Sequence, residues 1–459
     1  MEHHPASPTG LPRVLGVTSV IGIVMGTMIG SGIFIVPASI AAGLGSPLLM
    51  LAVWVAGGLL TFFGALSLSE LGAAFPHAGG IYVYLKETYG PLVGFLFGWT
   101  LFLVIDSGTI ATLAVGFSTK YLPYFVRMSP LESRLTALAL IGLLCAVNYF
   151  GVRRGALLQN VLTSIKFAAL AGLCLTVFAF AKGDTAHFFS PAPGKLSTDL
   201  VGRFGIALVA ALWAYKGWEC SSFSSGELRN PTRDLPLGIF IGTSLVITLY
   251  ILANLAYLYA LPASAIAKSG RIAADAMNFA IGPVGASIIA FIILFSIAGA
   301  ANGHVLTSPR VYFAMARDRL FFRKFAEVHP KHLTPHVSIV AICAWSAVLS
   351  LTGTFEQLYT YVIFGLWIFM GLTITAVIIL RKKRPDLPRP YRTWGYPATP
   401  ILFVLAALFI SVNTLVNQFK ESMAGLLIIL LGIPAYLFWN RNRKMEAGRD
   451  GIDITAAGR

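Results

Sequence analysis

Twelve apolar runs, each close to the roughly 20 residues that carry a helix across a bilayer, divide this sequence almost from end to end. They lie near residues 14–43, 47–71, 91–117, 134–150, 156–181, 201–226, 235–261, 281–309, 337–353, 357–380, 398–417 and 422–440. A backbone in hydrocarbon must satisfy its own N–H and C=O groups, so runs of this length fold as helices. The reading is an all-α polytopic membrane protein with 12 transmembrane helices forming one domain over residues 1–440. Within it a first half covers about 14–181, a second half about 201–380, and two extra helices about 398–440, followed by a short, polar, mobile tail at 441–459. Composition agrees: 12% of residues are charged, where a soluble domain carries about a quarter.

The net charge of +15 does not mark a nucleic-acid binder, because the basic residues are sorted into short loops. With the N-terminus inside, 23 of the 34 Lys and Arg fall on the inner side and nine on the outer. Positive residues favour the cytoplasmic face, so both termini are expected in the cytoplasm and the protein in the cell (inner) membrane. Lys166 and Lys216 are the two that stand inside apolar runs. Cys145, Cys174, Cys220 and Cys343 lie within or beside apolar runs, without metal-ligand spacing. They read as buried thiols, and no disulfide-linked partner, metal or cofactor is expected.

Two runs are interrupted. In the first, GIVMGTMIGSGIFIVP, the four-residue spacing of Gly22, Gly26 and Gly30 suits close helix packing. Gly30-Ser31-Gly32 goes further: glycines flanking a serine permit an unwound stretch, and Pro37 suits the first turn of a new half-helix. Unwound backbone at membrane depth is tolerated where it lines a protein cavity. There its freed amides, at the positive end of the next half-helix, suit a carboxylate. Freed carbonyls on the other side suit an ammonium group, and an α-amino acid carries both. The sixth run is broken by Lys216, Gly217 and the polar stretch Glu219 to Ser225. Interrupted helices at corresponding places in two five-helix halves point to inverted repeats around a midplane site.

Gly30-Ser31-Gly32-Ile33-Phe34 resembles the signature of the amino acid–polyamine–organocation permeases. So do Trp213 to Trp218, Asn230-Pro231-Thr232-Arg233 with Pro236, and Asn254-Leu255-Ala256-Tyr257. Ser308-Pro309-Arg310, Ala316-Arg317-Asp318 and Arg389-Pro390-Tyr391-Arg392 continue the match in family order, nearest to the L-amino acid transporter-like branch. The resemblance implies a sodium-transporter-like fold of five plus five inverted helices with two more at the end. It also implies a permease that moves amino acids as exchanger or proton-coupled symporter. Substrate would be held by Met28, Gly30, Ser31, Gly32 and Ile33 on the first helix and by Trp213, Ala214, Tyr215 and Lys216 on the sixth, with Trp213 as an aromatic gate. Lys166 matches a lysine that fills the sodium position of coupled relatives, which implies a sodium-independent cycle.

Ionisable groups inside spans are costly and point to function. Lys166 would brace the first helix or couple protons; Glu219 would carry a proton, meet a cationic group or pair with a neighbour. Lys216 departs from the family pattern, and its side chain points either away from the site or into it. Asp106 neutralises Lys216 or Lys166, or reads a substrate amine. His77 and His304 are expected to be structural. A polyamine or organocation carrier of the same fold is the alternative. A channel is disfavoured by the two broken helices, and an enzyme by the lack of a catalytic His pair, HExxH, serine elbow or nucleotide loop. Membrane lipid and protons are the remaining expected partners.

Overall fold

The computed structural model describes residues 11, 13–189, 198–353 and 355–449. Among them the only β pairing is a single parallel bridge between Leu15 and Leu228; otherwise the regular structure is helical. In chain order the helices used below are α1 (Val17–Met28), α2 (Gly32–Leu44), α3 (Pro47–Ala74), α4 (Ile81–Tyr89), α5 (Pro91–Tyr124) and α6 (Pro130–Tyr149). Then come α7 (Val152–Phe180), α8 (Thr198–Ala214), the single turn α9 (Cys220–Phe223), α10 (Pro231–Ala260) and α11 (Ile272–Ile281). The chain continues with α12 (Pro283–Thr307), α13 (Pro309–Arg317), α14 (His336–Ser350), α15 (Phe355–Lys383), α16 (Ala398–Asn417) and α17 (Phe419–Arg449).

Among the described residues nine helices are long and apolar enough to cross a membrane, and the bent pair α1–α2 makes a tenth span. This is a multi-pass membrane protein. Helices α11 and α14 are apolar but shorter, and α8 runs for 17 residues. Several ends differ from the sequence reading. The sixth run stops being helical at Ala214, and only the turn α9 and a 3-10 turn at Ser225–Glu227 follow. Residues 441–449, expected in a mobile tail, continue α17 as helix. Their Arg, Lys, Met, Glu and Ala residues are good helix formers that carry no apolar signal. The rest of that tail, 450–459, lies outside the described residues.

Pro37 is the sixth residue of α2 rather than part of its first turn. A proline there withdraws the N–H that would bond the carbonyl four residues earlier. That carbonyl belongs to Ile33 and accepts instead from the Tyr257 hydroxyl of α10 at 3.5 Å. Helix α5 contains two π-helical turns, Leu101–Ile105 and Phe117–Tyr121. A π turn disturbs the carbonyl ladder, and the Leu103 carbonyl accepts from Trp345 Nε1 of α14 at 2.9 Å. The turn ends directly at Asp106, which it sets in the bundle interior.

At one end of the bundle, Glu70 near the end of α3 accepts from Arg381 Nε and Nη2, at 2.8 and 2.6 Å, and from the Thr393 N–H and hydroxyl at 2.7 Å each. One buried carboxylate thereby ties α3, the end of α15 and the segment before α16 together. Nearby, Leu15 N–H donates to Glu227 O at 3.0 Å and Arg229 N–H to Leu15 O at 2.9 Å. Beneath that pairing the Glu227 carboxylate takes Arg310 Nε at 2.7 Å, with both side chains buried.

Candidate functional site

The two broken helices meet at their breaks. After Met28 the helical ladder fails, because Gly30 N–H turns back to Met28 O at 2.9 Å and leaves Gly26 O without its expected helical donor. Lys166 Nζ of α7 supplies one. It donates to Gly26 O at 2.8 Å, Ile29 O at 2.8 Å and Ser296 O at 2.9 Å. Ser296 Oγ adds a second bond to Ile29 O at 3.1 Å. The Tyr250 hydroxyl of α10 spans both breaks, near Met28 O at 2.7 Å and Ala214 O at 3.1 Å. Thr27 Oγ1 lies 2.9 Å from Gly217 O. Buried carbonyls left unpaired are costly, so these side chains hold the interruptions open as a defined structure.

Gly32 and Gly217 are required by this contact. A Cβ on Gly32 would stand 2.4 Å from Ala214 Cα, and Gly217 adopts φ +124° with its Cβ direction 2.8 Å from the Thr27 backbone. Between the breaks lies a small cavity of about 10 Å³, lined by Met28, Gly30, Ser31, Gly32, Trp213 and Lys216 together with Thr27, Thr109, Leu113 and His304. The Ser31 hydroxyl is buried without a hydrogen-bond partner. At the start of α2 the first N–H groups have no acceptor within the helix. Trp213 is stacked on Tyr359 at 5.8 Å and meets Phe355 edge-on at 6.1 Å.

Six of the nine residues read from the sequence as substrate ligands therefore line the cavity. Ile33, Ala214 and Tyr215 are not among its lining residues. The Tyr215 ring packs against Trp54 and Tyr250, and its hydroxyl donates to Trp54 O at 3.1 Å. Thr27, Thr109, Leu113 and His304 were not legible as lining residues. His77 is exposed in the turn after α3, away from the cavity.

Lys216 points into the bundle and pairs with Asp106: Nζ lies 2.9 Å from Oδ1. The same ammonium is 3.5 Å from Glu219 Oε1, while Glu219 Oε2 accepts the Gly217 N–H at 2.9 Å. His304 Nδ1 is 3.2 Å from Asp106 Oδ1 and 3.5 Å from Cys220 Sγ, and the Ser308 hydroxyl donates to Asp106 Oδ2. Asp106, Lys216, Glu219 and His304 are each at most 4% exposed. Donor atoms of Asp106, Cys220 and His304 lie within 4.8 Å of one another. The Lys216 ammonium already sits on the shared carboxylate oxygen, so that place is filled by a cation of the chain itself.

The amino acid permease family model matches residues 15–434. The chain belongs to the amino acid permease family. The permease is 35% identical over 93% of its length to the serine/threonine exchanger SteT of Bacillus subtilis (strain 168), of which 97% is covered. It is 32% identical to the human b(0,+)-type amino acid transporter 1, covering 94% of this chain and 88% of that one. The human large neutral amino acids transporter small subunit 2 is 34% identical, with 95% and 82% covered. This is a transporter and not an enzyme.

Proposed function

We propose that this permease is a secondary active transporter that carries amino acids across the cytoplasmic membrane by alternating access, as exchanger or proton-coupled symporter and without sodium. The observation that carries the reading is the small cavity between the two breaks, with the unpartnered Ser31 hydroxyl and the first N–H groups of α2 at its edge. A substrate carboxylate fits those N–H groups, at the positive end of α2. The ammonium fits the Trp213 carbonyl, which takes the Lys216 N–H at 3.2 Å and has a second lone pair. The Lys166 ammonium, surrounded by three carbonyls, takes the part a sodium ion plays in sodium-coupled relatives. The hydroxyls of Thr27, Ser31 and Thr109 in the cavity wall suit small polar side chains, in keeping with the serine/threonine exchanger among the relatives. Lys216 in the lining disfavours a polyamine.

Adding α8 and α14 to the ten spans gives twelve, with α1–α2 and α8–α9 opening two five-helix halves and α16 and α17 as the extra pair. The basic loops then favour both termini in the cytoplasm. In this orientation the Leu15–Leu228 pairing and the buried Arg310–Glu227 pair close the cytoplasmic side. Counterflow of labelled serine or threonine into proteoliposomes tests the site. Ser31→Phe, which fills the cavity, is expected to abolish counterflow while the protein still inserts and purifies. Wild-type counterflow from that variant would remove the cavity from the mechanism.

A further inference from the structure

The buried cluster beside the cavity is unbalanced in charge. Asp106 and Glu219 bring two carboxylates, and among the described residues Lys216 is the single ammonium within reach of either. With a neutral imidazole at His304 the group carries a net negative charge; with an imidazolium it is neutral. Burial makes an uncompensated charge costly, and one more proton, on His304 or on Glu219, would balance the group.

We propose that His304 and Asp106 form a proton-binding site whose occupancy sets the affinity for substrate. His304 Nδ1 lies 3.2 Å from Asp106 Oδ1 and 3.5 Å from Cys220 Sγ, where a protonated Nδ1 meets an acceptor. The carboxylate itself is committed as an acceptor: Lys216 and His304 meet Oδ1, and Ser308 donates to Oδ2. Lys166 is committed as well, because an ammonium has three N–H donors and Lys166 makes three bonds to carbonyls. Removing a proton there would turn a lone pair toward a carbonyl oxygen. The charged and titratable groups facing His304 are Asp106 from α5 and Lys216, Glu219 and Cys220 from the second break, while Tyr312 on the adjoining α13 acts on Asp106 and Cys220. Of these, Asp106, Lys216 and Glu219 set the balance, and His304 is the member that lines the cavity beside Lys216.

The link to affinity rests on the amino acid reading of the cavity; proton binding at His304 does not. A net negative cluster next to the cavity opposes a substrate carboxylate, and protonation of His304 relieves that opposition. Acid pH therefore lowers KM, by up to about tenfold per pH unit for one linked proton.

Two measurements between pH 5 and 8 test this. The first is thermal unfolding of purified, substrate-free protein in detergent. Wild type is expected to be stabilised as pH falls through a single transition, and His304→Gln and His304→Asn are expected to lose that transition. Glu219→Gln, which removes one negative charge, is expected to move it toward acid. The second is KM in proteoliposomes, which should fall with acidity in wild type and be flat in both His304 variants. A wild type without the transition, His304 variants that keep it, or a Glu219→Gln midpoint that stays in place would overturn the proton site. No amino acid flux alongside an intact His304-dependent unfolding transition would overturn the amino acid reading and leave the proton site standing.

Discussion

Replacing Lys166 by Met keeps most of the side-chain volume and removes the ammonium that closes the break in the first helix. Three carbonyls lose a donor, but not equally. Ile29 O keeps the Ser296 hydroxyl at 3.1 Å, and Ser296 O lies inside the continuous helix α12, where the ladder still serves it. Gly26 O is the one left bare, because Gly30 N–H is turned to Met28 O. An unsatisfied buried carbonyl costs about 1–3 kcal/mol. Charged to the conformation in which the break is formed, that cost lowers the population able to bind substrate by roughly 5- to 150-fold. KM in proteoliposomes is expected to rise by a factor in that range. Overall stability is expected to change less, because the substitution also removes a desolvated charge. Unfolding temperature and KM measured on the same preparation separate the two. A KM within twofold of wild type, or a large loss of stability with unchanged KM, would refute the assignment of Lys166 to the break.

Gly32→Ala should abolish transport, since its Cβ meets Ala214 backbone at 2.4 Å and overpacking of this kind costs about 1–3 kcal/mol. Gly43→Ala, with nothing within 4 Å of its Cβ, should transport normally in the same uptake assay. Arg310→Met leaves the buried Glu227 carboxylate without its ion-pair partner, which should destabilise the protein by about 3–5 kcal/mol in reversible unfolding. Glu70→Gln weakens the bonds from Arg381 while keeping the Thr393 contacts within reach. Limited proteolysis of the segment between α15 and α16 should quicken in that variant.

The breaks were legible because their causes are local: Gly30-Ser31-Gly32 and Gly217 stand in runs that otherwise read as spans. What fills them was not, since the donors come from elsewhere in the chain. Lys166 lies 140 residues from Gly26 and Tyr250 lies 222 from Met28. The intramembrane charges could be picked out one by one, yet the pairing of Lys216 with Asp106, 110 residues away, depends on how α5 is set by its π turn. His304 read as an ordinary core histidine for the same reason: nothing in AGAANGHVL shows that its face of α12 meets a carboxylate. At Tyr215 the break is a turn rather than a helix, which sends the Lys216 side chain to the cavity lining and packs the Tyr215 ring against Trp54.

The central claim is that the cavity between the two breaks binds an amino acid and releases it on the other side of the membrane. Uptake of a panel of labelled amino acids into proteoliposomes, empty or preloaded and with or without a proton gradient, addresses it most directly. Saturable uptake of small polar amino acids, unaffected by sodium and driven by preloading or by the proton gradient, is the expected result. Folded protein that moves none of the panel, or moves it without saturation, would contradict the account.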